Sequence, residues 1–163
     1  MVRFQPEQML EVLERHGVVY ALIGGLAATL HGSPLRTGDV DICPQRNPEN
    51  CDRLARALRE LEARVRSPDG PLPFDFDARS LAAVDVLNLS TRFGDLDICA
   101  RPAGFDGLEA LTLVHYDLDG LVVPVASLEN VIHSKESANR EKDRAALPTL
   151  RKLLDKIGAR ASD

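Results

Sequence analysis

Two pairs of carboxylates stand out for their spacing, Asp39-Val40-Asp41 and Asp95-Leu96-Asp97. Each alternates with apolar residues, Val40 and Ile42 in the first and Leu96 and Ile98 in the second, so each reads as a strand with one polar face. On such a strand Asp39 and Asp41 leave the same side, with Cβ atoms about 7 Å apart. Ionised groups that close repel each other, and a strand buried on its other face cannot turn them away. A hard cation with a preference for oxygen ligands, Mg²⁺ or Mn²⁺, removes the repulsion. If the second strand lies beside the first, Asp97 completes a cluster able to hold two ions roughly 3.5–4 Å apart, an arrangement suited to phosphoryl or nucleotidyl transfer. Asp95 competes for that third place. Asp97 is preferred because Leu96 and Ile98 make it a mid-strand residue, whereas Asp95 follows Gly94 in a turn. The same pattern also describes the solvent face of an antiparallel sheet.

A second chemical signal precedes the first pair. Gly24-Gly25 separates a short apolar run, residues 18 to 23, from LAATLHG. A glycine pair between a buried strand and a helix leaves backbone N–H groups uncovered at the helix start, where phosphate is favoured, although glycines also serve ordinary tight turns. Lys135 and Lys142 lie seven apart and would share a face if one helix ran through both, with Asn139 as an interruption. They suit neutralisation of departing phosphates, or plain surface solubility. Arg140 and Arg144 rank behind them, and Asp143 reads as a surface partner of Lys142. Cys43 and Cys99 each follow a D-x-D pair by two residues, yet with no histidine nearby they read as packing residues. His31, His115 and His133 form no arrangement for nucleophilic catalysis.

The elements that must position these groups follow from periodicity. Residues 6 to 16 read as an amphipathic helix, 18 to 23 as a buried strand, 39 to 43 as a strand stopped by Pro44, and 48 to 65 as a helix with a Leu54, Leu58, Leu61 stripe. The stretch 67 to 77 is dense in Pro, Asp and Gly and is expected to be a loop. Runs 84–89 and 95–100 form one expected hairpin, and LTLVHYDL with LVVPVA around Asp119-Gly120 a second. From Ser127 onward two helices are expected, the first opened by a weakened capping box in which Asn130 stands for the usual Glu. The expected class is α/β (α+β), a mixed, partly antiparallel central sheet flanked by helices. One domain is expected over 1–163, with an α/β core in 1–126 and C-terminal helices in 127–157.

Composition sets outer limits. The 163 residues carry a net charge of −5, which argues against non-specific coating of nucleic acid, and the 4% aromatic content with no Trp offers no stacking platform. Residues 129–163 are mildly basic and hold all four lysines, while the body is acidic. Three cysteines without CxxC spacing suggest a reducing cytoplasm, and no run approaches the roughly 18 apolar residues of a spanning helix. A soluble protein with no membrane association is expected.

Taken together, GGLAATLHGSPLRTGDVDI, with thirteen residues between Gly25 and Asp39, resembles the signature of the polymerase-β-like nucleotidyltransferase superfamily. The nearer resemblance is to small bacterial members of the AbiEii and MenT kind, in which an Arg-x-Thr commonly precedes the carboxylates; Arg36-Thr37 stands here with one extra residue. TRFGDLDIC and SLENVIHSKESANREKDRAALPTLR also look like family segments. The resemblance implies a nucleotidyltransferase fold with a C-terminal helical tail and transfer of a nucleoside monophosphate from a nucleoside triphosphate to an acceptor, releasing pyrophosphate. It implies Asp39, Asp41 and Asp97 as ligands of two Mg²⁺ (or Mn²⁺) ions, with Asp97 also the base. It further implies Gly24 and Gly25 at the triphosphate, Arg36 and Thr37 just ahead of the metal strand, and Lys135 and Lys142 at the phosphates. The acceptor is left open among RNA or tRNA, a protein and a small molecule such as an antibiotic. A toxin role would bring a cognate antitoxin as partner. Two other classes compete: a catalytically inactive nucleotide- or partner-binding module of the same fold, and a metal-dependent phosphohydrolase. The second would need a water-positioning group or further His ligands, and neither is present.

Overall fold

The computed structural model describes residues 2–75 and 77–162. Eight strands form one mixed sheet: β1 (Tyr20–Ile23), β2 (Asp39–Pro44), β3 (Arg64–Val65), β4 (Leu72–Pro73), β5 (Val86–Thr91), β6 (Gly94–Cys99), β7 (Leu113–Leu118) and β8 (Leu121–Ala126). Their spatial order is β4-β3-β5-β6-β2-β1-β8-β7. The β2 strand runs antiparallel to β1 and parallel to β6, so the two acidic strands are direct neighbours at the centre. Both expected hairpins form, β5 with β6 and β7 with β8. The second turns through Asp119 and Gly120, both at positive φ, and the Asp117 carboxylate accepts the Gly120 N–H at 2.7 Å.

Strand alternation sorts the two faces of the central pair. Val40, Ile42, Leu96 and Ile98 point away from the carboxylates and are at most 4% exposed. They join one buried cluster with Leu10 and Leu13 of α1 (Pro6–Arg15) and Leu54 and Leu58 of α3 (Pro48–Glu60). Large-to-small changes at such fully enclosed positions typically cost about 2–5 kcal/mol. Asn50 fastens α3 to the strand ends: its side chain accepts Val19 N–H at 2.7 Å and donates to Val19 O at 2.8 Å and Gln45 O at 2.7 Å. Every polar atom of this buried amide is therefore used, which fixes where β2 leaves the sheet.

The carboxylate side carries α2 (Gly24–Leu30), α5 (Leu128–Ala138) and α6 (Glu141–Ala161), with α2 packed on α5 and α5 on α6. Ser127 caps α5 by accepting Asn130 N–H at 3.1 Å. The Asn130 side chain does not complete a capping box. It accepts Thr112 N–H at 2.6 Å and ties the helix start to the segment entering β7.

Several boundaries differ from the sequence reading. The helix expected over 48–65 ends at Glu60; Glu62 takes φ 53°, and Arg64–Val65 then pair with β5. The expected 67–77 loop contains β4, paired with β3, while Phe76 lies outside the described residues. A short helix not expected from the sequence, α4 (Ala78–Ala83), follows and is capped by Asp77, which accepts Ser80 N–H at 2.8 Å. Asn139 stands in the left-handed region at φ 51° and divides the tail, so Lys135 and Lys142 lie on different helices.

Candidate active site

The parallel register sets Asp39 opposite Asp95 and Asp41 opposite Asp97. Among the described residues one group of three acidic side chains converges, Asp39, Asp41 and Asp97, with oxygens within 4.8 Å of one another. Asp95 stays outside that group and turns to Arg66, whose Nη1 is 3.0 Å from its carboxylate. The same guanidinium donates from Nη2 to Asp97 Oδ1 at 2.7 Å. Of the two candidates for the third carboxylate, the geometry thus brings Asp97 to the pair.

Burial and crowding raise the affinity of Asp41 and Asp97 for protons. Asp41 is pushed up to about 6, first by burial and then by the charge of Asp39, with Lys142 and Lys135 opposing. Asp97 is raised to about 7 by burial and by the hydrogen bond it shares with Asp39, while Arg66 pulls the other way. The donor set is all oxygen, half-exposed and electrostatically uncomfortable when ionised, and a divalent cation would relieve that discomfort. These residues fit Mg²⁺ or Mn²⁺.

The glycine pair shapes the rim beside this cluster. Gly24 sits at φ 70°, and a Cβ there would run into the Asp41 carboxylate. A Cβ on Gly25 would stand 3.0 Å from Thr37 Oγ1. Thr37 in turn donates from that hydroxyl toward Asp39 Oδ1 and Asp39 O, each at 3.3 Å, so it braces the first carboxylate. Arg36 is exposed and lines the same cleft.

The opposite wall is cationic. Lys135, Arg140 and Lys142 all line a cleft of about 680 Å³ that also contains the three carboxylates and both glycines. Two of them, Lys135 and Arg140, are organised by Asp143, which is buried rather than a surface partner of Lys142. It accepts Arg140 Nε at 2.7 Å, Arg140 Nη2 at 3.2 Å and the Arg140 backbone N–H at 3.1 Å, and lies 3.6 Å from Lys135 Nζ. Burial alone would raise the Asp143 carboxyl; the Arg140 hydrogen bonds win and hold it below the ordinary value. The sequence reading of Asp143 failed because its burial depends on the break at Asn139, which folds α6 back against α5. Arg144 binds the Asn139 carbonyl instead of facing the cleft.

Cys43 is fully buried, contacts Ala100 O at 3.6 Å through Sγ, and has its thiol pushed up to about 12 by burial, as befits packing. Cys99 lines the cleft with its thiol likewise raised by burial. His31 bridges Tyr116 Oη at 2.6 Å and Ala126 O at 2.8 Å. Arg66 escaped the sequence reading altogether. A two-residue strand offers no periodicity, and the leucine stripe before it carries the eye through as helix.

With this geometry in view, the model of the aminoglycoside-2″-adenylyltransferase family matches residues 7–150. The chain belongs to that family. It is a nucleotidyltransferase, passing a nucleoside monophosphate from a nucleoside triphosphate to an acceptor with release of pyrophosphate. Among solved structures, the lincosamide antibiotic adenylyltransferase LnuA with lincomycin bound is similar at TM-score 0.62 and 17% identity, over 93% of this chain and 99% of that one. ANT(2″)-Ia in complex with adenylyl-2″-tobramycin gives 0.58 and 15%, over 96% and 89%. A nucleotidyltransferase-like protein of Thermotoga maritima gives 0.55 and 19%, over 95% and 97%. These likenesses show the fold, as the sequence resemblance to the superfamily implied. No curated protein matches the sequence.

Proposed function

We propose that this family member uses Asp39, Asp41 and Asp97 to hold divalent metal and transfers a nucleoside monophosphate to a hydroxyl of a small molecule. The observation that carries this reading is the convergence of three carboxylates, a glycine rim and three helix-borne cations on one cleft. Divalent cations at such a cluster supply charge neutralisation on the phosphate and a more acidic hydroxyl on the acceptor. The chain's own groups do the rest. Gly24 and Gly25 let the triphosphate approach the backbone without side-chain obstruction. Lys135, Arg140 and Lys142 face the phosphates that depart, the first two held in place before any substrate arrives by the buried Asp143. Asp97 receives the hydroxyl proton, its affinity for protons already drawn toward neutrality.

A cleft of about 680 Å³ has the dimensions of a small-molecule site, which favours a compact acceptor over RNA, tRNA or a protein, and the family match lends no support to a toxin with an antitoxin partner. The AbiEii and MenT likeness adds nothing to this choice. The inactive-module alternative is disfavoured because all three carboxylates, both glycines and the cations meet in the same place. No helix among the described residues is long and apolar enough to cross a membrane. All three cysteines are unpaired, which suits a reducing cytoplasm.

The test is incubation with each α-³²P-labelled nucleoside triphosphate, Mg²⁺ and a panel of hydroxyl-bearing antibiotics, beside an Asp39→Ala, Asp41→Ala double variant. Label on a panel member should appear with the wild type and fall by at least about 10³-fold in the variant. Equal labelling by the two proteins would reject the carboxylates as the reaction centre.

A further inference from the structure

Each carboxylate of the cluster is held by a different neighbour. Thr37 donates to Asp39 at 3.3 Å, and Asp41 lies close against Gly24. Asp97 is held from two strands away. Arg66 follows directly on β3; its backbone N–H bonds Asn88 O of β5 at 3.0 Å, and its side chain passes over β5 to reach β6. There Nη2 donates to Asp97 Oδ1 at 2.7 Å, while Nη1 stands 3.0 Å from Asp95 Oδ2 and 3.4 Å from Leu89 O. Both ends of the fork are engaged, so the guanidinium plane cannot turn freely. A donor fixed on Oδ1 in turn stops the Asp97 carboxylate rotating about its Cβ–Cγ bond, while its other oxygen stays free of Arg66.

Asp95 acquires a use in this arrangement. It stays outside the group of three and outside the cleft lining, and its side chain is 46% exposed against 18% for Asp97. A half-exposed ion pair adds little to stability. One guanidinium also cannot balance Asp39, Asp41, Asp95 and Asp97, so what it adds to this wall is direction rather than neutrality.

We propose that Arg66 and Asp95 are positioning residues for the transfer reaction: Asp95 orients Arg66, and Arg66 fixes Asp97. The first aspartate of the second Asp-x-Asp pair thus acts on the reaction centre through a guanidinium supplied from beyond β3. Partners of this kind, standing behind a metal-binding carboxylate, set which way its oxygens face. The inference rests on metal binding and nucleotidyl transfer at this cleft, and it deepens that reading by naming the groups behind the third carboxylate.

The test is a mutant cycle on Asp95→Asn, Arg66→Lys and the double variant, read in two ways. Mn²⁺ affinity is measured by electron paramagnetic resonance with no nucleotide present, and kcat and KM for the nucleoside triphosphate with the acceptor found in the labelling assay. Arg66→Lys keeps the charge but cannot span both acids. Asp95→Asn keeps the shape of a half-exposed side chain and should fold even if Arg66→Lys does not. Arg66→Lys should bind Mn²⁺ about tenfold more weakly and lose about tenfold in kcat, with KM within about threefold of wild type because the helical wall is untouched. Asp95→Asn should lose about threefold to tenfold in Mn²⁺ affinity and in kcat, and the double variant no more than Arg66→Lys alone. A direct effect of the Asp95 charge on the metal would persist in the double variant. Additive losses of that kind would overturn the proposal, and so would wild-type Mn²⁺ affinity and kcat in Arg66→Lys. If wild type binds Mn²⁺ yet transfers to no acceptor, the nucleotidyl-transfer reading falls, while the Mn²⁺ cycle still decides how Asp95 and Arg66 act on Asp97.

Discussion

The two walls of the cleft handle charge in opposite ways. On the helical wall one buried acid, Asp143, organises two cations, Arg140 and Lys135, with Lys142 beside them. On the strand wall one cation, Arg66, organises two acids, Asp95 and Asp97. Under the proposed function the helical wall is prepared for an incoming anion, with Arg140 and Lys135 positioned before the triphosphate arrives. On the strand wall the single guanidinium offsets only part of the acidic charge, and that wall stays net negative. The contrast teaches that the two walls of a single cleft can be tuned independently, since each organiser sits on a different element.

The strongest way to break the comparison is to remove the helical organiser. Asp143→Ala should lower kcat/KM for the nucleoside triphosphate by about 100-fold, because two cations lose their common anchor. Arg140 is largely exposed and Lys135 is not, so the stability loss should stay near 1–3 kcal/mol, read from urea unfolding. An unchanged kcat/KM would mean that the lysines and arginine find the phosphates unaided.

A smaller effect is expected at the rim that both walls share. Gly24→Ala forces a side chain into the left-handed region and against Asp41, which should cost about 1–3 kcal/mol in stability and about tenfold in transfer. Loss of stability without loss of transfer would show that Asp41 can shift aside and still serve.

The mildest prediction uses pH to separate the walls. Asp41 and Asp97 bind protons more tightly in the fold than in the unfolded chain. Their contribution to stability is therefore fully present below the ordinary carboxylate range and is lost as pH rises through about 6 and 7. In chelator the wild type should lose about 3–6 °C of Tm between pH 5 and pH 8 relative to Asp97→Asn, and Mg²⁺ should restore it. A chelator-insensitive Tm at pH 8 would speak against metal relief of the cluster.

How legible each wall was in the sequence follows from its elements. The acidic strands announced themselves because alternation with Val40, Ile42, Leu96 and Ile98 has a period of two that needs no partner to be seen. Both hairpins and the division at Asn139 were similarly local. Arg66 was hidden because β3 is two residues long and follows a turn made by Glu62 at positive φ, where no glycine marks the break. Asp143 was misplaced for a different reason. Its neighbours in sequence are charged and exposed, and only the packing of α6 on α5 buries it. The parallel pairing of β2 with β6 was framed as a condition on the chemistry, since nothing local specifies which distant strands become neighbours.

That pairing has a kinetic corollary. Asp41 and Asp97 meet only when two strands whose aspartates lie 56 residues apart in the sequence zip together in parallel, an event expected late in folding because its loop-closure cost must be met before it is rewarded. A chain emerging from denaturant carries its hairpins and helices well before it carries a reaction centre. Return of transfer on refolding is thus a clock for closure of the β2–β6 seam.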